Sequence, residues 1–184
     1  MTMTSTTDAD GNVTVVDTQQ NSGQTKVTET VTRPDGTKLR EHMVITDDAT
    51  GATIRERTFT ETSPTDADGN PVTTDTEDNF FRDPQTGETT TSQTVDTANG
   101  GTGATSHVET ERHTDSAGNV IDESRRAETK DAVGNTSVSD STLDPATGNT
   151  TLTTETKDAD GHGTTHTTVV DGSGNVLQDT TNTF

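Results

Sequence analysis

The sequence predicts an all-β chain, an antiparallel β-hairpin meander of about 12–13 short polar strands in a thin or single-layer sheet. A β-solenoid is the alternative. Three observations carry this reading. A turn signature built on Asp and Gly recurs along the whole chain. The segments between turns are rich in Thr and Val and alternate in polarity. Apolar residues make up only 22% of the 184 residues, against an ordinary level of about 45–50%. That is too little for a thick core. The whole chain, 1–184, reads as a single β-repeat domain.

The turns come in two versions. The shorter reads Asp8-Ala-Asp-Gly-Asn12, Asp66-Ala-Asp-Gly-Asn70, Asp115-Ser-Ala-Gly-Asn119, Asp131-Ala-Val-Gly-Asn135 and Asp171-Gly-Ser-Gly-Asn175. The longer reads Asp47-Asp-Ala-Thr-Gly51, Asp83-Pro-Gln-Thr-Gly87 and Asp144-Pro-Ala-Thr-Gly148. Looser copies lie at Asn21–Gly23, Arg33–Gly36, Asn99–Gly103 and Asp158–Gly161. Each has a mechanism. The first Asp accepts a hydrogen bond from the backbone two residues on. Pro presets φ for a type I turn. Gly then takes the left-handed conformation that follows such a turn in a hairpin. All five prolines lie in or beside these turns, where they remove no ladder donor.

Between the turns, Val27–Thr32, Ile54–Thr60, His107–Arg112 and Thr150–Thr156 are β-branched and alternating, as strands require. Val120–Lys130 is the nearest approach to a helical period, and a weak one. Twelve turns imply up to thirteen strands, counting Met1–Thr7 and Asp179–Phe184. Successive turn glycines are 12, 13, 15, 18, 18, 16, 15, 16, 14, 13 and 13 residues apart. A solenoid needs coils of near-constant length, because each stacks on the last. A meander only needs neighbouring strands to lengthen and shorten together, so the drift favours the meander.

Lys and Arg number 12 and Asp and Glu 32, for a net charge of −20. Such a chain repels phosphate, which argues against a nucleic-acid partner. No apolar run approaches the ~18 residues of a membrane helix. There is no Cys, so disulfides cannot staple the fold. The large apolar side chains are 15 Val, 3 Ile, 4 Leu, 3 Met and 4 Phe. Composition alone reads as disorder, so order must draw on the backbone ladder, on cross-strand Thr–Thr and Arg–Glu pairs, and on neighbouring chains. Met1–Thr7 and Thr180–Phe184 carry no side-chain charge and no Pro. Natural sheets blunt their edges with Lys or Pro; these segments do not. They point to end-to-end strand addition between copies, with Met1, Met3, Val176, Leu177 and Phe184 as the self-assembly residues.

Candidate chemistry is sparse. Asp8 and Asp10, Asp66 and Asp68, and Asp158 and Asp160 form oxygen-rich Asp-x-Asp-Gly loops of a kind that can hold Ca²⁺. None has the later Glu of a helix-loop-helix calcium loop, and a turn capped by Asp is the plainer reading. No other cofactor is implied. His162 and His166 sit ~13 Å apart if on one strand, too far to share a metal. No nucleophile elbow, metalloprotease helix or phosphate loop occurs, so no enzyme is expected. Asn12, Asn135 and Asn149 open Asn-x-Thr/Ser glycosylation acceptors directly after turn glycines. Thr-x-Thr spacing at Thr28/Thr30/Thr32, Thr58/Thr60/Thr62 and Thr151/Thr153 is similar to the threonine arrays of ice-binding proteins.

Asp115-Ser-Ala-Gly-Asn-Val-Ile-Asp122, Asp131–Asn135 and Asp171-Gly-Ser-Gly-Asn-Val-Leu177 resemble the turn half of bacterial RHS/YD repeats, at turn level only, since the chain has no Tyr. What the resemblance implies is a β-hairpin array of bacterial surface type. Met1–Thr7 does not read as a standard signal peptide, while the lack of Cys and the excess of Asp and Thr suit an extracellular or cell-surface setting. The expectation is a structural subunit of a self-assembling extracellular filament, surface appendage or biofilm scaffold, its chief partner itself. The alternatives are a monomeric stalk or adhesin module, calcium-stiffened or not, an ice-binding Thr array, and an acidic chain that orders only in a complex.

Overall fold

The computed structural model describes all 184 residues, and every regular element in it is a strand. The strands are β1 (Thr2–Thr7), β2 (Val13–Asn21), β3 (Gln24–Thr32), β4 (Lys38–Asp47), β5 (Thr53–Thr62), β6 (Val72–Arg82), β7 (Thr89–Asn99), β8 (Thr105–Thr114), β9 (Val120–Lys130), β10 (Thr136–Asp144), β11 (Asn149–Lys157), β12 (Gly163–Val170) and β13 (Val176–Thr183). They form one open sheet in chain order, every neighbour antiparallel. The meander is the architecture, and the solenoid alternative is set aside. Val120–Lys130 is an 11-residue strand, not a helix.

Twelve turns join the strands, and the Gly of each has positive φ, as the turn chemistry requires. Seven follow the pattern of Asp8–Asn12. There the Asp8 amide donates to the Asn12 carbonyl, and the Gly11 amide to the Asp8 carbonyl. This is a three-residue loop with a glycine bulge. Four are one residue longer, as at Asp47–Ala52, Asp83–Glu88, Asn99–Ala104 and Asp144–Asn149. The remaining one, Ser22-Gly23, is a two-residue loop with both φ positive, 52° and 77°. That is a type I′ turn, in which Ser stands where Asn is preferred.

The Asp side chains act as clasps. Asp66 Oδ1 accepts from the amides of Asp68 and Asn70, and its Oδ2 accepts from the Asn70 side-chain amide at 3.2 Å. The same set recurs at Asp8, Asp115, Asp131 and Asp171. This explains why Asn follows the turn Gly. In the longer loops a Thr takes over: Thr50 Oγ1 donates to Asp47 Oδ1 and accepts from the Ala52 amide.

Cross-strand register divides the side chains between two faces. The row Thr4–Val16–Glu29–His42–Thr58–Asp78–Gln93–Thr110–Arg125–Ser141–Leu152–Thr168–Asp179 crosses all thirteen strands on the first face. The row Ser5–Val15–Thr30–Glu41–Phe59–Glu77–Thr94–Glu109–Arg126–Asp140–Thr153–Thr167–Thr180 crosses them on the second. No layer covers either face, and no residue is fully buried. The accessible surface is 11139 Å², whereas a compact globule of 19.4 kDa would expose roughly 8,500 Å². The 130 backbone–backbone hydrogen bonds, 104 of them in the ladder, carry the structure instead. Ion pairs tie neighbouring strands: Arg57 reaches Glu77 at 2.5 Å and Glu41 at 3.6 Å, Arg40 pairs with Glu29, and Arg126, held by Glu128 of its own strand, pairs with Asp140.

Three substitutions check the turns. Ser22→Asn removes part of the left-handed strain and should stabilise the chain by about 0.5 kcal/mol, read as a higher urea midpoint. Asp66→Ala should lower the melting temperature more than Asp158→Ala. Asp66 also accepts from the Asn99 amide of another turn at 2.8 Å, whereas the recorded Asp158 bonds stay within its own loop.

Candidate functional site

Two surfaces stand out: the unpaired edges of β1 and β13, and a polar groove between them. Within these 184 residues, β1 and β13 each have one neighbour. In an antiparallel pair, residues point their amide and carbonyl alternately toward and away from the partner. Asp8 bonds inward to Asn12, so Thr6, Thr4 and Thr2 also point inward; Thr7, Ser5 and Met3 offer their amides and carbonyls outward. Phe184 and Gly163 exchange both bonds, so Asn182 and Thr180 point inward, and Thr183, Thr181 and Asp179 outward.

Charge thins toward these edges. β9 carries Asp122, Glu123, Arg125, Arg126, Glu128 and Lys130, whereas β1 carries no ionisable side chain and β13 only Asp179. Asp179 is itself engaged by His166 Nε2. The edge segments also hold exposed apolar side chains: Met1 (88%), Met3 (67%), Val176 (61%), Leu177 (57%) and Phe184 (49%). The five residues singled out for self-assembly therefore lie on or beside the two edges. Lys157 Nζ lies 5.5 Å from the Phe184 ring centroid.

The groove, of about 540 Å³, crosses β6 to β11 on the second face and is lined by fifteen residues, two of them hydrophobic. Its central row runs Asp75–Asp96–His107–Glu128. Asp75 faces Glu61 on one side and Asp96 on the other, like charges directly opposed. Burial first, then Glu61 and Asp96, push its carboxyl above the usual carboxylate range, and Asp75 Oδ1 has no partner. His107 Nδ1 meets Asp96 Oδ1 at 2.6 Å, and that bond, with nearby carboxylates, raises the imidazole above its ordinary value. The other histidines pair likewise: His42 with Glu56, His113 with Glu111, His162 with Asp158. Ligand pockets are lined mostly by hydrophobic and aromatic side chains; thirteen of the fifteen residues here are neither.

The remaining sequence candidates fall on turns. The carboxylates of Asp8, Asp66 and Asp158 accept the amides of Asp10, Asp68 and Asp160, so each pair is part of its own turn. No three His, Asp or Glu side chains converge as a cation site. Asn12 and Asn135 donate their side-chain amides to Asp8 and Asp131, while no side-chain bond is recorded for Asn149. Thr28/Thr30/Thr32 and Thr151/Thr153 lie on the second face and Thr58/Thr60/Thr62 on the first. Spacing did not reveal a hydroxyl rank that the register assembles. Thr62–Thr74–Thr97–Ser106–Thr129–Ser137–Thr156–Thr164–Thr183 runs unbroken across nine strands of the first face.

No helix of the chain is long and apolar enough to cross a membrane. Comparison with protein-family models, curated proteins and solved structures returned no match.

Stability should peak at weakly acidic pH. The turn carboxylates, held low by their clasps, with Asp66 at about 2, contribute above the ordinary carboxylate range and lose this as pH falls toward 2. His107 and Asp75 are shifted upward, so their contributions are full at low pH and decline as pH rises through their folded values. His107→Gln should therefore lower the urea midpoint at pH 6 and leave it nearly unchanged at pH 8.5.

Proposed function

We propose that this chain is the structural subunit of an extracellular or cell-surface filament that grows by strand pairing between copies. One observation carries the reading. Both edge strands offer unpaired backbone groups with almost no charge, on a chain in which β4, β5, β6, β8 and β9 each carry four to six ionisable side chains. Edge strands that must stay single bear Lys, Pro or a bulge facing the free side. β1 has none of these; β13 slips register only at Leu177, near its start, and its one acid is engaged by a histidine. A strand adding at such an edge gains main-chain hydrogen bonds directly. A contact between two different edges leaves a fresh edge on each added copy, so it generates a fibre wherever the rotation between copies does not close a ring. The absence of Cys and the acidic, Thr-rich surface suit an extracellular setting.

Electron microscopy of the purified chain over a dilution series tests the proposal. Filaments of uniform width should appear and survive dilution. Ser5→Pro should abolish them while leaving β-type circular dichroism intact, because it deletes an amide that points away from β2. Monomeric particles at every concentration would overturn the filament and leave the monomeric stalk reading.

A further inference from the structure

We infer that the joint of this filament is β13 of one copy paired antiparallel with β1 of the next, Thr181 opposite Ser5, the next copy being turned over. The inference rests on the filament reading above and specifies its symmetry.

The count of strands sets the options. Twelve reversals leave β1 and β13 running in the same direction. Sliding a copy along the sheet would therefore join them parallel. All twelve ladders within the chain are antiparallel, and antiparallel pairing is the more stable per residue. An antiparallel joint between unlike edges requires a half-turn about the long axis of the sheet, which reverses the strands and exchanges the two faces. Like edges could instead meet across a two-fold axis normal to the sheet. That arrangement places two Asp179 carboxylates in one joint and needs a second, different β1–β1 joint before a filament can grow. With unlike edges, every Asp179 faces a strand with no ionisable side chain, and one joint type consumes both edges.

The outward groups then fix the register. Met3, Ser5 and Thr7 are free on one edge; Thr183, Thr181 and Asp179 are free on the other. Thr181 opposite Ser5 pairs these six with one another, Met3 beside Thr183 and Thr7 beside Asp179, whereas a shift by two would bring Thr7 to Leu177, where β13 slips in its pairing with β12. Any shift by two residues leaves one outward group on each edge outside this match. On the reverse side Thr6 meets Thr180, Thr4 meets Asn182, and Thr2 meets Phe184, with no like charges opposed.

The chain has no cysteine, so cross-linking reads the joint on a clean background. Thr6 and Thr180 would form a non-hydrogen-bonded pair, with Cα atoms about 4.5 Å apart, within disulfide reach. The double variant Thr6→Cys/Thr180→Cys, oxidised as filaments, should run as a ladder of covalent oligomers on a non-reducing denaturing gel. Thr4→Cys/Asn182→Cys, the next such pair, should do the same and guards against local damage at one site. Filaments of both variants that stay monomeric on the gel would overturn this joint. So would Thr181→Cys alone trapping as a dimer, which marks like edges meeting. Absence of filaments in the unmodified chain would overturn the polymer itself, a separate and visible result.

Discussion

Every strand of this molecule is held only by the strands beside it. No second layer packs on either face and no residue is fully buried, so the backbone ladder and the turns that set its register bear what a hydrophobic core bears elsewhere. The rest of the chemistry follows from this. The Asp–Asn clasps and Thr bridges fix the reversals, because a slipped turn would move a whole strand to the wrong pairing and exchange its two faces. Thr and Val dominate the strands because a β-branched side chain stiffens a pleated surface without needing a partner above it.

The same constraint explains where charge lies. A single sheet with a net charge of −20 must keep its acids apart or paired, and the central strands do this with Arg57, Arg112 and Arg126 bridging carboxylates on neighbouring strands. Asp75 is the exception, facing Glu61 and Asp96 with no cation of its own. Toward β1 and β13 the charges disappear, and polar, hydroxylated strands with exposed Met3 and Leu177 take their place.

Much of the fold was legible from residue types alone. The twelve glycines picked out by the turn signature are the twelve with positive φ. The drift in their spacing matches strands that lengthen from 6 residues in β1 to 11 in β6, β7 and β9, then shorten to 8 in β13. What stayed hidden depends on register, which follows from whether each loop has two, three or four residues. The pairing of His107 with Asp96, the opposed acids at Asp75 and the nine-strand hydroxyl rank all join residues on different strands. The role of Asn70 was missed for a different reason: Gly-Asn reads as a turn preference, and only geometry exposes the amide bonded back to Asp66. The edges were legible by what they lack, since an uncharged terminal segment stands out in so acidic a chain.

The lack of a covered face also governs the response to heat and cold. The heat-capacity change of unfolding comes mainly from apolar surface newly exposed to water. Here the native chain already leaves much of that surface wet. Its heat-capacity change should fall below that of a compact globule of the same mass, and its stability curve should be correspondingly flatter. Cold weakens structures that depend on hidden apolar surface, and this one depends on it little. A sheet with both faces wet should therefore lose less stability on cooling than a core-built domain of the same mass.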